Sequence, residues 1–144
     1  MKGRYAFSVF CALITLSACS ETLEDVSARG EYKEIVGARY EVVGKLEAYG
    51  IGRNPYKQID YVKLMPVFGY TGSEVGFNIP VRQGSKLTVT NVYHSNRWFD
   101  QGVTLGVRLE GMPLPVDAPV RIDLRDNVED GGHVSLNLVI FKRI

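Results

Sequence analysis

The 144-residue chain holds two cysteines, one tryptophan and two histidines. Its 17 basic and 16 acidic side chains leave a formal charge of +1. A chain this close to neutral has no electrostatic footprint for nucleic acid. No apolar run reaches the ~18 consecutive residues expected of a membrane-spanning helix. His-x-x-x-His and Glu-x-x-His spacings are absent, which removes the helical metal-site patterns. A Gly-x-Ser-x-Gly turn is absent too, which removes the nucleophile elbow of the α/β hydrolases. Internal repeats, low-complexity segments and a sustained helical period beyond residue 36 are also missing.

What is present begins at the N-terminus. Lys2 and Arg4 form a positive flank, and Ala6 to Leu16 form an apolar stretch broken only by Ser8 and Thr15. The stretch is too short for a bilayer, which needs about 20 apolar residues, and it has the build of a secretory signal. Small residues follow, and the run Leu16-Ser17-Ala18-Cys19 ends on a cysteine. An ordinary secretory signal would share the small residues, and a buried helix could hold the cysteine by chance. The cysteine directly after the small pair separates these readings. Residues 1–19 resemble the signal peptide and lipobox of a bacterial lipoprotein.

That resemblance implies cleavage of residues 1–18 and acylation of Cys19. Ser20 in the next position, where Asp would retain the protein at the inner membrane, implies sorting to the outer membrane, facing the periplasm. Each buried methylene contributes about 0.8 kcal/mol, so two or three acyl chains hold where one is marginal. Cys11 would leave with the signal and Cys19 would carry lipid. A disulfide, a cysteine zinc site and a cysteine nucleophile are then excluded from the remaining domain. No cofactor is expected beyond the covalent lipid on Cys19.

Residues 19–36 read as the lipidated N-terminus and a polar, acidic tether, with a short fraying helix over 22–28 as the alternative. From residue 37 to 144 the hydrophobic period is two. Tyr40, Val42, Gly44, Leu46 and Ala48 alternate with more polar neighbours, as do Val75, Phe77, Ile79 and Val81. Leu87, Val89, Asn91 and Tyr93 continue the pattern, followed by Val103 to Leu109, Val120 to Leu124 and Val134 to Ile140. Turn-forming clusters at 50–55, 69–73, 83–85 and 126–132 separate the runs. The expectation is one all-β domain, a small antiparallel barrel or sandwich of about seven strands. Hairpin-like connections favour an SH3- or OB-like barrel over an Ig-like sandwich. Pro113, Pro115 and Pro119 mark edges or corners.

Two loops stand out as binding candidates. Residues 93–100 contain Tyr93, His94, Arg97, Trp98 and Asp100, and Trp with Arg is a common interface anchor. The competing use of Trp98 is to plug the end of the barrel. Phe68 and Tyr70 lie in a glycine-containing loop and could line a groove, or serve as ordinary core aromatics. His94, Ser95 and Asp100 would form a nucleophilic set on paper, but one exposed hairpin offers no low-dielectric pocket to tune them. Residues 126–132 are rich in acids and glycine, yet Val128 occupies the third position where a calcium loop needs an oxygen ligand, so no metal site is expected. Arg121, Asp123 and Arg125 share a strand face and could form surface ion pairs.

Together these features predict a lipid-anchored envelope module that binds or scaffolds a protein or glycan, and no enzyme. An inhibitor of a hydrolase such as a lysozyme is the first alternative, and a small envelope enzyme the second.

Overall fold

A computed structural model describes residues 22–96, 102–127 and 136–144. The architecture is all-β. Nine strands form one mixed sheet: β1 (Leu23–Asp25), β2 (Arg39–Val42), β3 (Leu46–Ile51), β4 (Tyr61–Pro66), β5 (Val75–Pro80), β6 (Lys86–Ser95), β7 (Val103–Glu110), β8 (Val120–Asp123) and β9 (Phe141–Arg143). The sheet order is β5-β3-β4-β8-β7-β6-β2-β9, with β1 added beside β6. Every pair is antiparallel except β4 with β8. The path does not close into a barrel. The inner faces of β2 to β9 nevertheless share one hydrophobic cluster, so the sheet curls around it. One helical turn (Leu124–Asn127) follows β8, and among the described residues no helix is long and apolar enough to cross a membrane.

The period-two pattern explains most of this core. Val42, Leu46, Ala48, Val62, Leu64, Leu87, Val89, Leu105, Ile122 and Phe141 are all within 2 % of complete burial. Fully burying such a side chain contributes about 1.5–3 kcal/mol. Gly50 supplies a close approach rather than a turn: the Phe77 ring lies where its Cβ would be, at 2.2 Å. Any side chain at position 50 would displace that ring from the core.

The pattern fails at one point in β6. The register against β7 shifts between Val89 and Asn91, a bulge that turns the strand by one residue. Beyond it Val92 is buried, rather than Asn91, and His94 follows on the core side. Asn91 and Tyr93, which alternation from Leu87 placed inward, lie on the outer face, where the Tyr93 ring approaches Gly106.

The expected tether does not begin at Cys19 and run to residue 36. Leu23, Glu24 and Asp25 pair with Ser95, His94 and Tyr93, and Val26, Tyr32 and Ile35 are buried in the main core. Residues 22–36 therefore belong to the folded unit and are not a tether. A three-residue strand inside an acidic stretch shows no period. Its pairing follows from the free edge that β6 offers beyond β2, which needs a partner.

β3 and β4 also bury part of their outer faces. Tyr49, Ile51 and Met65 form a second, smaller cluster with Tyr61 and Val75. Tyr49, placed by alternation on the polar face, is completely buried. The connection from β4 to β5 folds back over it, and Tyr70 meets Tyr49 edge-on with centroids 5.7 Å apart.

Candidate functional site

β6 and β7 form the central hairpin, and the chain finishes its two ends differently. At the Ser95 end, β1 pairs with β6 and stops at an Asx turn. The Ser27 amide and hydroxyl donate to Asp25 Oδ1 at 2.9 and 2.5 Å, and the Asn91 side-chain amide donates to Oδ2 at 2.9 Å. These donors, the Ser27 hydroxyl foremost, hold the Asp25 carboxyl below its ordinary 3.8. The Ser27 hydroxyl in turn accepts from the Val92 amide at 2.9 Å. The following 3₁₀ turn (Gly30–Tyr32) lays Tyr32 over the end of the core. Its hydroxyl shares a 2.5 Å hydrogen bond with His94 Nε2, and the two rings meet edge-on at 5.6 Å. Burial, and then the Glu31 charge, raise the Tyr32 phenol above its ordinary 10.0.

At the other end the chain leaves β7 and crosses to β8 through residues 111–119. Gly111 turns the chain at φ 100° and packs against Ser85, whose Cα would lie 3.3 Å from an added Cβ. Pro113, Pro115 and Pro119 are exposed, while Met112, Leu114, Val116 and Ala118 pack partly buried against the core. Proline lacks an N–H, so this extended strap cannot act as a regular sheet strand. It leans on the sheet mainly by side chains, its last carbonyl, that of Pro119, accepting from the β4 amide of Val62 at 2.8 Å, and it leaves an open cleft of about 490 Å³ against β7. Leu109, Met112, Leu114 and Val116 supply apolar lining, and Arg108 and Asp117 supply charge. Arg108 is paired with Glu110 at 3.1 Å.

Among the described residues, those singled out by sequence are used in separate parts of the fold. Tyr93 and His94 are paired within β6, not carried on a loop, and His94 is engaged by Tyr32. Tyr70 is turned onto Tyr49 and donates its hydroxyl to Glu74, which lowers the Glu74 pKa below the ordinary 4.5. Phe68 is 70 % exposed and Val67 beside it 50 %. Arg97, Trp98, Asp100 and Cys19 lie outside the described residues. Of the three residues expected to share a strand face, Asp123 reaches Lys63 at 3.9 Å and Arg125 at 3.1 Å, while Arg121 stacks over Tyr61 at 4.6 Å. Among the described residues no group of three or more His, Cys, Asp or Glu side chains could hold a metal ion.

The cleft is the feature that sequence reasoning missed. Its signal is an apolar residue at every second position from Met112 to Ala118, three of the intervening residues being proline or another poor strand former. That combination describes an extended segment that packs without pairing. No family model matches the chain, and no curated protein or solved structure does either.

Proposed function

We propose that the chain is a lipid-anchored module of the bacterial envelope that binds or scaffolds another envelope protein. In this reading Cys19 carries the acyl chains, and the outer membrane, on its periplasmic side, is the site of attachment. The Leu16-Ser17-Ala18-Cys19 run supports the anchor. The observation that carries the binding reading is the open cleft between β7 and the 111–119 strap. Aliphatic side chains, proline rings and two charged residues line it, and the surface it shows is as much polar as apolar. Such a surface suits apolar side chains of a peptide segment.

Leu114→Glu tests this reading. A carboxylate in the cleft costs an apolar partner its contact, and the half-buried position leaves the sheet intact. In intact envelopes the wild-type lipoprotein is expected to give a discrete crosslinked product that the variant loses while remaining folded, with a melting temperature lower by several degrees at most. Identical products from both proteins would refute the cleft as the binding surface. Mass spectrometry of the mature N-terminus checks the anchor: acyl mass on Cys19 is expected, and an intact Met1 refutes it.

A further inference from the structure

The sheet begins close to the residue that would carry the lipid. The Thr22 amide donates to Asn96 Oδ1 at 3.1 Å, and the Thr22 carbonyl accepts from the Asn96 amide at 3.2 Å. Only Ser20 and Glu21 stand between Cys19 and this pair. Three residue steps of fully extended chain span at most about 11 Å. A linker that short cannot let a domain swing freely above a bilayer. β6, by contrast, runs ten residues from Lys86 to Ser95 and is about 30 Å long.

The end of the sheet nearest Cys19 suits a headgroup layer rather than hydrocarbon. Thr22, Glu24, Asp25, Arg29 and Asn96 are exposed there. Glu24 and Arg29 form an ion pair at 3.2 Å, so the end carries both signs of charge. The β6 backbone there is paired through β1, and the remaining edge is the short, three-residue β1 itself. Among the described residues, the large exposed apolar side chains, such as Tyr56, Phe68, Leu138 and Val139, lie elsewhere in the chain.

We infer, building on the acylated Cys19 proposed above, that the domain stands end-on upon the lipid surface, with the Thr22–Asn96 end of the β1–β6 pair against the headgroups. The Lys86–Glu110 end of the hairpin is then held out into the periplasm. Val107, which lines the cleft, pairs with Val89, seven residues from Asn96. The cleft therefore sits about 20 Å above the headgroups, within reach of a partner that is not itself in the membrane.

The test uses the full acylated chain in phosphatidylethanolamine–phosphatidylglycerol vesicles containing a headgroup-labelled acceptor lipid. Once Cys11 is cleaved away and Cys19 acylated, an introduced cysteine is the one free thiol. A donor dye is placed on exposed Glu24→Cys or exposed Lys86→Cys. Energy transfer from position 24 is expected to exceed that from position 86 several-fold. Insertion of about fifteen Gly/Ser residues after Glu21, with a reach near 20 Å, is expected to erase the difference. Equal transfer from both positions, stronger transfer from position 86, or a difference that survives the insertion would each overturn the orientation. Acyl mass on Cys19 is measured on the same samples. Its absence defeats the anchor and the orientation together, whereas its presence with equal transfer defeats the orientation alone.

Discussion

At the Ser95 end of the β6–β7 hairpin, the core is closed by paired backbone and by side chains whose polar atoms find partners; at the Lys86 end, it is closed by a strap that forms no ladder and meets strand backbone only where the Pro119 carbonyl accepts from Val62, among the described residues. The first closure fixes geometry. Each contact, from Asp25 with Ser27 and Asn91 to Tyr32 with His94, accepts only one arrangement. The second closure fixes only which side chains face inward. Aliphatic groups packed side by side without a ladder leave gaps, and the cleft is such a gap. Directional bonds therefore make the rigid end, suited to standing against a surface, and non-directional packing makes the end with room for a partner.

The largest effect should come from truncating one side chain at each end. Tyr32 is 4 % exposed, and Tyr32→Ala is expected to cost about 3–5 kcal/mol, the usual loss for a buried aromatic. Leu114→Ala, in a partly exposed position, is expected to cost about 1 kcal/mol. Urea unfolding of both variants measures the contrast, and equal losses would erase the distinction between the ends.

A second contrast uses acid. The depressed Asp25 pKa means that the unfolded chain binds the proton first as pH falls. The stability this carboxylate lends is thus whole above its ordinary 3.8 and is lost as pH drops through its lower folded value. Glu74, bonded by Tyr70, behaves in the same sense below 4.5. Amide exchange at Val26 and Val92 is therefore expected to quicken at low pH before exchange at Leu87 and Val107 does. In Asp25→Ala that exchange should already be fast at neutral pH. Simultaneous loosening of both ends in the wild type would show that the Asx turn does not govern the Ser95 end.

The smallest effect concerns Ser85, which is 1 % exposed and whose hydroxyl has no hydrogen-bond partner among the described residues. Ser85→Ala removes an unsatisfied buried group and is expected to raise stability by up to about 1 kcal/mol. A loss of similar size in thermal melts would mean that the hydroxyl is satisfied in solution, and that the Lys86 end is more polar inside than its packing suggests.

Alternation in the sequence is enough to name Val42, Leu46, Val62, Leu87, Leu105 and Ile122 as core, because a strand with one wet face must repeat every two residues. It misplaces Asn91 and Tyr93 because a bulge has no local sequence signature, and one extra residue reverses every side chain beyond it. It misses β1 because three residues cannot show a period, and their pairing depends on an edge made by residues 70 positions away. The binding candidates fared unevenly for a related reason. Aromatic and charged residues close in sequence suggest a site, yet Tyr93, His94 and Tyr70 are used to close the fold, and the cleft is lined by aliphatic residues that attract no notice in a list.

The sequence by itself determined the β class and the inward residues of the longer strands, because each is written in local period. Only the tertiary structure decided that residues 22–36 join the fold, which described elements close each end of the core and where a cleft remains. Those features depend on which strand edge is left free and how well distant side chains fill the space between elements, and neither quantity exists until the chain has folded.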